Sequence, residues 1–209
     1  MNFKTIFFDL DDTLYPHDSG LWIAVRDRIQ LFMHDELGMS WDEIPEKQAD
    51  YFQTYGTTLR GLQAHFDVDE QNYHHYVHQV DLGKYIAPDP DLVAILEQLP
   101  QRKIIFTSAD AKHAERVLDH LQVRHYFDEI LDIFALKPHA KPQPEAFRRA
   151  LQLTGERDPH RCVMIDDLPK TTRAAREFGM FSILKGSKGS AEDANAQLFD
   201  WKDLPEILA

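Results

Sequence analysis

Residues 4–13 read KTIFFDLDDT, an apolar run that breaks off into closely spaced carboxylates. The run is short and rich in β-forming residues, which predicts a buried strand over 4–8. Asp9, Asp11 and Asp12 follow the carboxyl end of that strand, the edge at which open α/β sheets bind ligands. On the two-residue period of a strand Asp9 and Asp11 share a side, and such a pair needs a cation or a proton between them. A turn cap is the competing explanation, which a lone motif of this kind would favour.

Further apolar runs of the same kind recur along the chain, separated by segments with helical periodicity. One helical segment carries an apolar stripe through Leu92, Ile95, Leu96 and Leu99, and another ends at Gly179. Strands that alternate with helices predict a Rossmann-like α/β core, in which a parallel sheet is covered on both faces. The additional strands are predicted over 103–106, 129–131, 162–165 and 181–184.

A long stretch after the first strand interrupts this alternation, because it contains helical patterns but no convincing buried strand. Ser19 is predicted to cap a first helix, and Ser40 to open a second through a capping box with Glu43. Residues 50–66 and 69–80 are predicted to be helical as well. The predicted domains are a core of 1–15 and 88–209 and an all-helical cap of 16–87, inserted after the first strand.

The composition limits the classes of function open to the chain. Its 209 residues, 43% of them hydrophobic, are enough to bury the core of one domain with an insertion. The formal net charge of −12, from 23 basic and 35 acidic residues, argues against binding to a nucleic acid polymer. No apolar run suits a membrane helix and the first residues lack the apolar core of a signal peptide, so a cytoplasmic protein is expected. The expected oligomeric state is a monomer or a weak homodimer. The single cysteine, Cys162, excludes an internal disulfide and a cysteine-rich zinc site.

Polar residues also follow two of the later predicted strands and precede a helix. Thr107 and Ser108 end the second strand, where they suit either a hydrogen bond to a bound anion or the cap of the next helix. Lys141 lies in a loop before a helix that a proline opens, a place where a lysine is ordinarily solvated. Asp166 and Asp167 end the fourth strand, and such a pair of hard oxygen donors suits Mg²⁺.

Taken in order, these features resemble the haloacid dehalogenase-like (HAD) superfamily of phosphatases over nearly the whole chain. The insertion occupies the position of the helical C1 cap of that superfamily. A closer resemblance, to the pyrimidine 5′-nucleotidase-type branch, rests on DLDDTLYP at 9–16, YGTTLRGL at 55–62 and PDP at 88–90. The chain departs from the branch at Ser108, where asparagine is usual, and at Thr171, where asparagine or aspartate is common.

The resemblance implies hydrolysis of phosphomonoesters through an aspartyl-phosphate. It implies that Asp9 is the nucleophile and that Asp11 is the general acid and then the general base. Thr107, with Ser108 beside it, would bind the phosphoryl group, and Lys141 would neutralise the charge that develops there.

The resemblance also implies Mg²⁺ as cofactor. The ligands would be Asp9, the backbone carbonyl of Asp11, and Asp167, with Asp166 as second choice. Mg²⁺ and a lysine together would reverse the sign of the field that an acidic protein presents to a dianionic phosphate.

The predicted cap offers two candidates for substrate recognition. Arg60, interpreted as flanked by turns at Gly56 and Gly61, is the cap cation expected to face the substrate, and Tyr55 is expected to contact a base. The expected substrate is a nucleoside 5′-monophosphate such as UMP or CMP. Phosphoglycolate or a sugar phosphate is the alternative on the same core.

Two other classes remain as less favoured alternatives. A dehalogenase would need no Mg²⁺ and would lack an acid at the position of Asp11. A phospho-acceptor signalling domain also combines acidic residues, a hydroxyl and a Lys-Pro pair, but its acceptor aspartate lies mid-chain and it has no helical insertion.

Overall fold

The apolar runs pair into one parallel sheet, which confirms the predicted α/β class. The structure is a computed structural model that describes residues 2–186, 189–190 and 192–209. Within these residues the sheet has the strand order β3-β2-β1-β4-β5-β6, and every pair is parallel. The strands are β1 Thr5–Phe8, β2 Arg102–Phe106, β3 Glu129–Leu131, β4 Cys162–Asp166, β5 Phe181–Lys185 and β6 Ala196–Leu198.

The chain divides into two compact units, which we call the core unit and the helical unit. The helical unit is Gly20–Tyr85, and the core unit contains the residues up to Ser19 together with Ile86–Ala209. Among the described helices, none is both long enough and apolar enough to cross a membrane. The helical unit contains α1 Leu21–Asp35, α2 Ile44–Tyr55, α3 Thr58–His65 and α4 Glu70–Val77. The core unit contains α5 Pro90–Gln98, α6 Ala111–His120, α7 Pro144–Thr154, α8 Pro169–Phe178 and α9 Leu204–Leu208.

The register of the sheet brings the ends of its central strands to one level. Phe8, the last residue of β1, lies opposite Ile105 of β2 on one side and Ile165 of β4 on the other. From β1 the chain builds outward through β2 and β3 and then returns to the other side of β1 with β4. The strand order therefore reverses between β1 and β4, and a ligand crevice is expected outside the carboxyl ends of strands at such a point.

Helices or loops cover both faces of the sheet, which explains why its strands are apolar at successive positions. On one face Phe7 and Phe106 belong to a buried cluster with Phe147 of α7, whose ring centroid lies 5.6 Å from that of Phe106. On the other face Phe8 contacts Phe127 and Trp201, with ring centroids 5.5 Å and 6.3 Å away. The central strands are thus held rigidly from both sides.

Several predicted helix boundaries in the helical unit are wrong, and each has a local cause. The N-cap of α1 is Gly20 rather than Ser19. Ser40 donates a hydrogen bond to the Glu43 carboxylate within a turn, and α2 begins only at Ile44, because the proline that follows suits the first helical turn. The single helix predicted over 50–66 is divided at Gly56, which adopts a left-handed φ of 84°.

The division at Gly56 also corrects the interpretation of the two glycines. Gly56 ends α2, and the Thr57 side chain then caps α3 by accepting a hydrogen bond from the backbone N–H of Arg60. Gly61 is not in a turn but lies inside α3, against the buried side chain of Tyr51. A glycine is needed there because α2 and α3 approach too closely for any side chain.

Gly61→Ala is therefore expected to destabilise the protein by about 1–3 kcal/mol, even though alanine is the better helix former. An added Cβ would lie 2.8 Å from Cδ1 of Tyr51 and closer still to the Cβ and Cγ of that residue. Urea unfolding measures the loss, with Gln53→Ala at an exposed position of α2 as the control. Adding Tyr51→Gly, which removes both the ring and the Cβ of residue 51, to Gly61→Ala should cost less than the sum of the two changes, and full additivity would contradict a steric origin.

Candidate active site

Lys141 joins the carboxyl ends of β1 and β4. Its Nζ donates hydrogen bonds to Oδ1 of Asp9 at 2.6 Å and to Oδ2 of Asp166 at 2.8 Å. Only 4% of its side chain is exposed, and Nζ lies 5.2 Å from the centroid of the Phe106 ring. The sequence placed this lysine in a loop before a helix opened by Pro144, which is where it lies. Its loop is folded over the strand ends, so the side chain is buried rather than solvated.

Thr13 connects Asp9 to the end of β4. Its hydroxyl donates to Oδ2 of Asp9 at 3.0 Å and accepts from the backbone N–H of Asp167 at 3.1 Å. The backbone N–H of Asp9 donates to the carbonyl of Ile165 at 2.9 Å, which continues the β1–β4 ladder beyond the strand. Both oxygens of Asp9 are therefore held in fixed directions by named donors.

A turn, and not the pleat of the strand, sets the direction of Asp11. The strand β1 ends at Phe8, so the two-residue period used for the prediction does not extend to Asp11. The backbone N–H groups of Thr13 and Leu14 both donate to the carbonyl of Leu10, at 3.3 Å and 3.0 Å. Asp12 within this turn has a left-handed φ of 60°, a conformation that aspartate tolerates better than most residues.

Two side chains outside the predicted site, Tyr15 and His113, contact Asp11. The phenol of Tyr15 donates to Oδ1 of Asp11 at 2.8 Å, and Nε2 of His113 lies 2.9 Å from the same oxygen. Tyr15 lies four residues after Asp11, which is a weak local indication of contact. His113 lies on α6, 102 residues away, and no sequence pattern connects it to Asp11.

The carboxylates of Asp9, Asp166 and Asp167 form a buried cluster. Each offers an oxygen, and these oxygens lie within 4.8 Å of one another. Asp166 is oriented by Lys141 on one oxygen and by the backbone N–H of Leu168, at 2.9 Å, on the other. Three carboxylates beside one ammonium group leave a formal charge of −2, so this set of hard oxygen donors fits a divalent cation such as Mg²⁺.

The electrostatics of the cluster also favour additional positive charge. Burial raises the pKa of Asp9 well above its ordinary value; Lys141 opposes this increase, whereas Asp166 and Asp167 add to it. Burial alone would lower the pKa of Lys141, but the carboxylates of Asp166 and Asp9 outweigh burial and raise it. Lys141 is therefore an ammonium group, and a bound cation would favour the ionised form of Asp9.

Thr107 and Ser108 lie at the carboxyl end of β2, next to β1. The buried Thr107 accepts a hydrogen bond on Oγ1 from the backbone N–H of Ala109 at 3.0 Å, and its hydroxyl hydrogen can be donated to another acceptor. Ser108 is exposed. Neither residue caps α6, because Asp110 is its N-cap and accepts from the backbone N–H groups of its first turn.

Tyr55 and Arg60, the predicted substrate-binding residues of the cap, lie in the helical unit. Tyr55 is the last residue of α2, and its hydroxyl lies 3.2 Å from Nε2 of His65. Arg60 lies in the first turn of α3 and is half-buried. Their contact with a substrate stays a prediction.

A model of the haloacid dehalogenase-like hydrolase family matches residues 3–179. The chain belongs to this family. The match covers the β1 loop, β2, the Lys141 loop and the end of β4, so every segment of the site in the core unit falls within it.

The curated proteins that this chain resembles are distant relatives. Phosphate metabolism protein 8 of Saccharomyces cerevisiae is 27% identical over 195 residues, which are 87% of this chain. The chain spans only 61% of the length of that yeast protein. A glyceraldehyde 3-phosphate phosphatase of Methanocaldococcus jannaschii is 24% identical over 98% of this chain and 95% of its own length.

Solved structures share the fold over the full length. A HAD phosphatase from Thermococcus onnurineus has a TM-score of 0.70 at 19% identity, covering 99% of this chain and 98% of its own. The HAD-hydrolase YfnB from Bacillus subtilis, in a structure bound to magnesium, has a TM-score of 0.63 at 19% identity. The match covers 100% of this chain and 99% of the YfnB chain. At such low identity these likenesses concern the fold.

Proposed function

We propose that this protein is a phosphomonoester hydrolase that forms an aspartyl-phosphate on Asp9. The observation that carries the proposal is the buried ammonium group of Lys141, 2.6 Å from Asp9 and 2.8 Å from Asp166 at the reversal point of the sheet. Membership of a hydrolase family and a full-length relative named as a phosphatase support it. A fixed carboxylate beside a fixed cation suits nucleophilic attack on a phosphate ester, because the nucleophile is positioned and the charge on the phosphoryl oxygens is stabilised.

In the first step a carboxylate oxygen of Asp9 attacks the phosphorus and the bond to the ester oxygen breaks. The departing alkoxide takes a proton from Asp11, so no free alkoxide is released. Lys141 and the hydroxyl of Thr107 stabilise the charge that develops on the phosphoryl oxygens, and Ser108 lies beside Thr107 at the same strand end.

In the second step water attacks the phosphorus of the aspartyl-phosphate. Asp11, now a carboxylate, takes a proton from this water while the bond between Asp9 and phosphorus breaks. Inorganic phosphate leaves, and both aspartates return to their starting states.

We propose Mg²⁺ as the cofactor, held by Asp9, the backbone carbonyl of Asp11, and Asp167, with Asp166 as a further candidate. When bound, it would supply positive charge that draws a phosphate dianion towards a site rich in carboxylates. The cluster of buried oxygens within 4.8 Å of one another supports this assignment.

Removal of divalent cations with EDTA is expected to lower phosphate release by a factor on the order of 10² or more, and Mg²⁺ should restore it. Mg²⁺ should also raise the unfolding temperature without any substrate, because it neutralises the cluster; at 100 times its Kd the stabilisation is about 2.7 kcal/mol. The combination Asp166→Asn with Asp167→Asn should abolish the thermal shift. Full activity in EDTA would contradict the metal assignment.

We propose a nucleoside 5′-monophosphate, UMP or CMP in particular, as the substrate. The segments at 9–16 and 55–62 that resemble the pyrimidine nucleotidase branch support this proposal. Tyr55 would contact the base, and Arg60 would contribute positive charge towards the nucleotide. The acidic net charge of −12 makes a small phosphate ester a better substrate than a nucleic acid polymer.

A triose or sugar phosphate is the second candidate. The Methanocaldococcus jannaschii relative, which matches 98% of this chain and 95% of its own length, is named as a glyceraldehyde 3-phosphate phosphatase. Its name favours a triose or sugar phosphate as substrate. Such substrates are smaller than a nucleotide and offer hydroxyl groups but no base to a binding site.

A phosphate-release panel distinguishes the candidates. UMP and CMP would be compared with glyceraldehyde 3-phosphate, fructose 1-phosphate and phosphoglycolate, by kcat/KM at one Mg²⁺ concentration. The nucleotide proposal expects the highest values for UMP and CMP, with Arg60→Ala and Tyr55→Ala lowering those values selectively. A higher value for a sugar phosphate would overturn it, and a long-lived phosphoenzyme with no turnover on any ester would instead favour a phospho-acceptor domain.

A further inference from the structure

One oxygen of the Asp11 carboxylate is held from two sides. Oδ1 accepts from the Tyr15 phenol at 2.8 Å and lies 2.9 Å from Nε2 of His113. We propose that Tyr15 and His113 are positioning residues that hold Asp11 so that Oδ2 carries the proton delivered to the leaving group. This inference rests on the proposed function, because it assigns a role only if Asp11 is the general acid.

The two positioning residues are anchored independently of Asp11. The side chain of His113 is 1% exposed. It lies on α6, whose residues Ala114, Val117 and Leu118 are also buried. Asp110 caps α6 and accepts hydrogen bonds from the backbone N–H groups of Lys112 and His113. Since the imidazole cannot follow a rotation of Asp11, the contact restricts the rotamer of the carboxylate.

Tyr15 supplies the second restraint from another segment. It is 4% exposed, and it belongs to the β1 loop rather than to α6. The phenol of Tyr15 is the donor in its 2.8 Å hydrogen bond to Oδ1 of Asp11. A donor from the loop and a ring from α6 meet at the same oxygen, which fixes that oxygen in space.

This arrangement separates the roles of the two Asp11 oxygens. The proposal takes the His113 proton to be on Nε2, so that Oδ1 accepts from both Tyr15 and His113. In protonated Asp11, Oδ1 is then the carbonyl-type oxygen, and the proton belongs on Oδ2. The Asp11 side chain remains 24% exposed, whereas His113 is enclosed, so part of the carboxyl can still face a substrate. Proton transfer requires a separation of about 2.6–3.2 Å, and a freely rotating carboxyl would meet that condition only part of the time.

The test is the dependence of kcat/KM on the leaving group. An alkyl ester such as glycerol 1-phosphate needs a proton on its departing oxygen, whereas 4-nitrophenyl phosphate has a leaving group that departs without one. His113→Leu is expected to lower kcat/KM for the alkyl ester by about 10- to 100-fold and for the aryl ester by less than about threefold. His113→Gln, whose amide can donate near the position of Nε2, should restore most of the alkyl activity.

Tyr15→Phe removes the phenol that donates to Oδ1 of Asp11, with almost no change in the shape of the side chain. This variant provides the test if His113→Leu folds poorly. It should also lower the alkyl activity more than the aryl activity. A purely structural role for His113 or Tyr15 would lower both activities equally, and that result would overturn the inference.

Asp11→Asn separates a failure of the inference from a failure of the proposed function. It should lower kcat/KM for the alkyl ester far more than for the aryl ester. If it does so while His113→Leu and Tyr15→Phe lower both equally, Asp11 is the general acid and the positioning role is wrong. If Asp11→Asn itself lowers both equally, the general-acid role of Asp11 fails, and the inference fails with it.

Discussion

Asp9→Asn is expected to lower phosphate release by at least about 10⁴-fold, because it removes the nucleophile on which the whole reaction depends. An amide oxygen is a poor nucleophile, and the neighbouring Asp166 cannot take its place without losing its own contacts. Asp166 is occupied by Lys141 on one oxygen and by the Leu168 backbone on the other. The measurement is the rate of phosphate release from each ester of the substrate panel.

The fold should survive this substitution. An asparagine side chain retains an oxygen that can accept from Lys141, and its amide group can donate to Thr13, whose hydroxyl now donates to Asp9. The circular dichroism spectrum and the unfolding midpoint should therefore remain close to those of the parent protein. Asp203→Asn, at an exposed position of the core unit, is the matched control and should retain full activity. A variant at Asp9 with the parental rate would remove the basis for the proposed mechanism.

Lys141→Met is expected to affect stability and activity together. It leaves buried Asp9 and Asp166 without their shared ammonium group, and breaking a buried ion pair from one side costs about 3–5 kcal/mol. We expect kcat/KM to fall by about 10²- to 10³-fold as well, since positive charge at the phosphoryl oxygens is lost. Lys137→Met, an exposed position in the same loop, should change the free energy of unfolding by less than about 1 kcal/mol.

The pH dependence of this loss has a definite sign. The pKa of Asp9 is already raised by burial, so its protonated form is favoured in the folded state and stability falls as pH rises from about 4 through the folded pKa. Removing Lys141 raises that pKa further, so the loss in the variant should be smaller at pH 5 than at pH 8. Mg²⁺ should recover part of it at pH 8. Urea unfolding at both pH values measures the effect, and a loss independent of both pH and Mg²⁺ would mean that packing, not charge, is responsible.

The strands of the central sheet could be predicted because their determinants are local. Ile6, Phe7 and Phe8 are fully buried, and the apolar run that contains them matches β1 within one residue. The edge strand β6, Ala196–Leu198, was not predicted, because three residues with little apolar character give no periodicity to detect. Gly61 was misassigned for a related reason: the closeness of Tyr51 is a property of how two helices pack, and no neighbour in sequence indicates it.

The sequence alone determined the α/β class, the family resemblance and the polar residues that end the strands, because hydrophobic periodicity and an abrupt change to carboxylates are properties of short segments. Only the tertiary structure decided that Lys141 is buried between Asp9 and Asp166, and that Tyr15 and His113 meet on one oxygen of Asp11. The Lys141 and His113 contacts span 132 and 102 residues of chain. The geometry of these contacts depends on the order of the parallel strands in the sheet and on the direction in which each loop leaves the sheet. Neither the strand order nor the loop direction can be predicted from the residues adjacent in sequence.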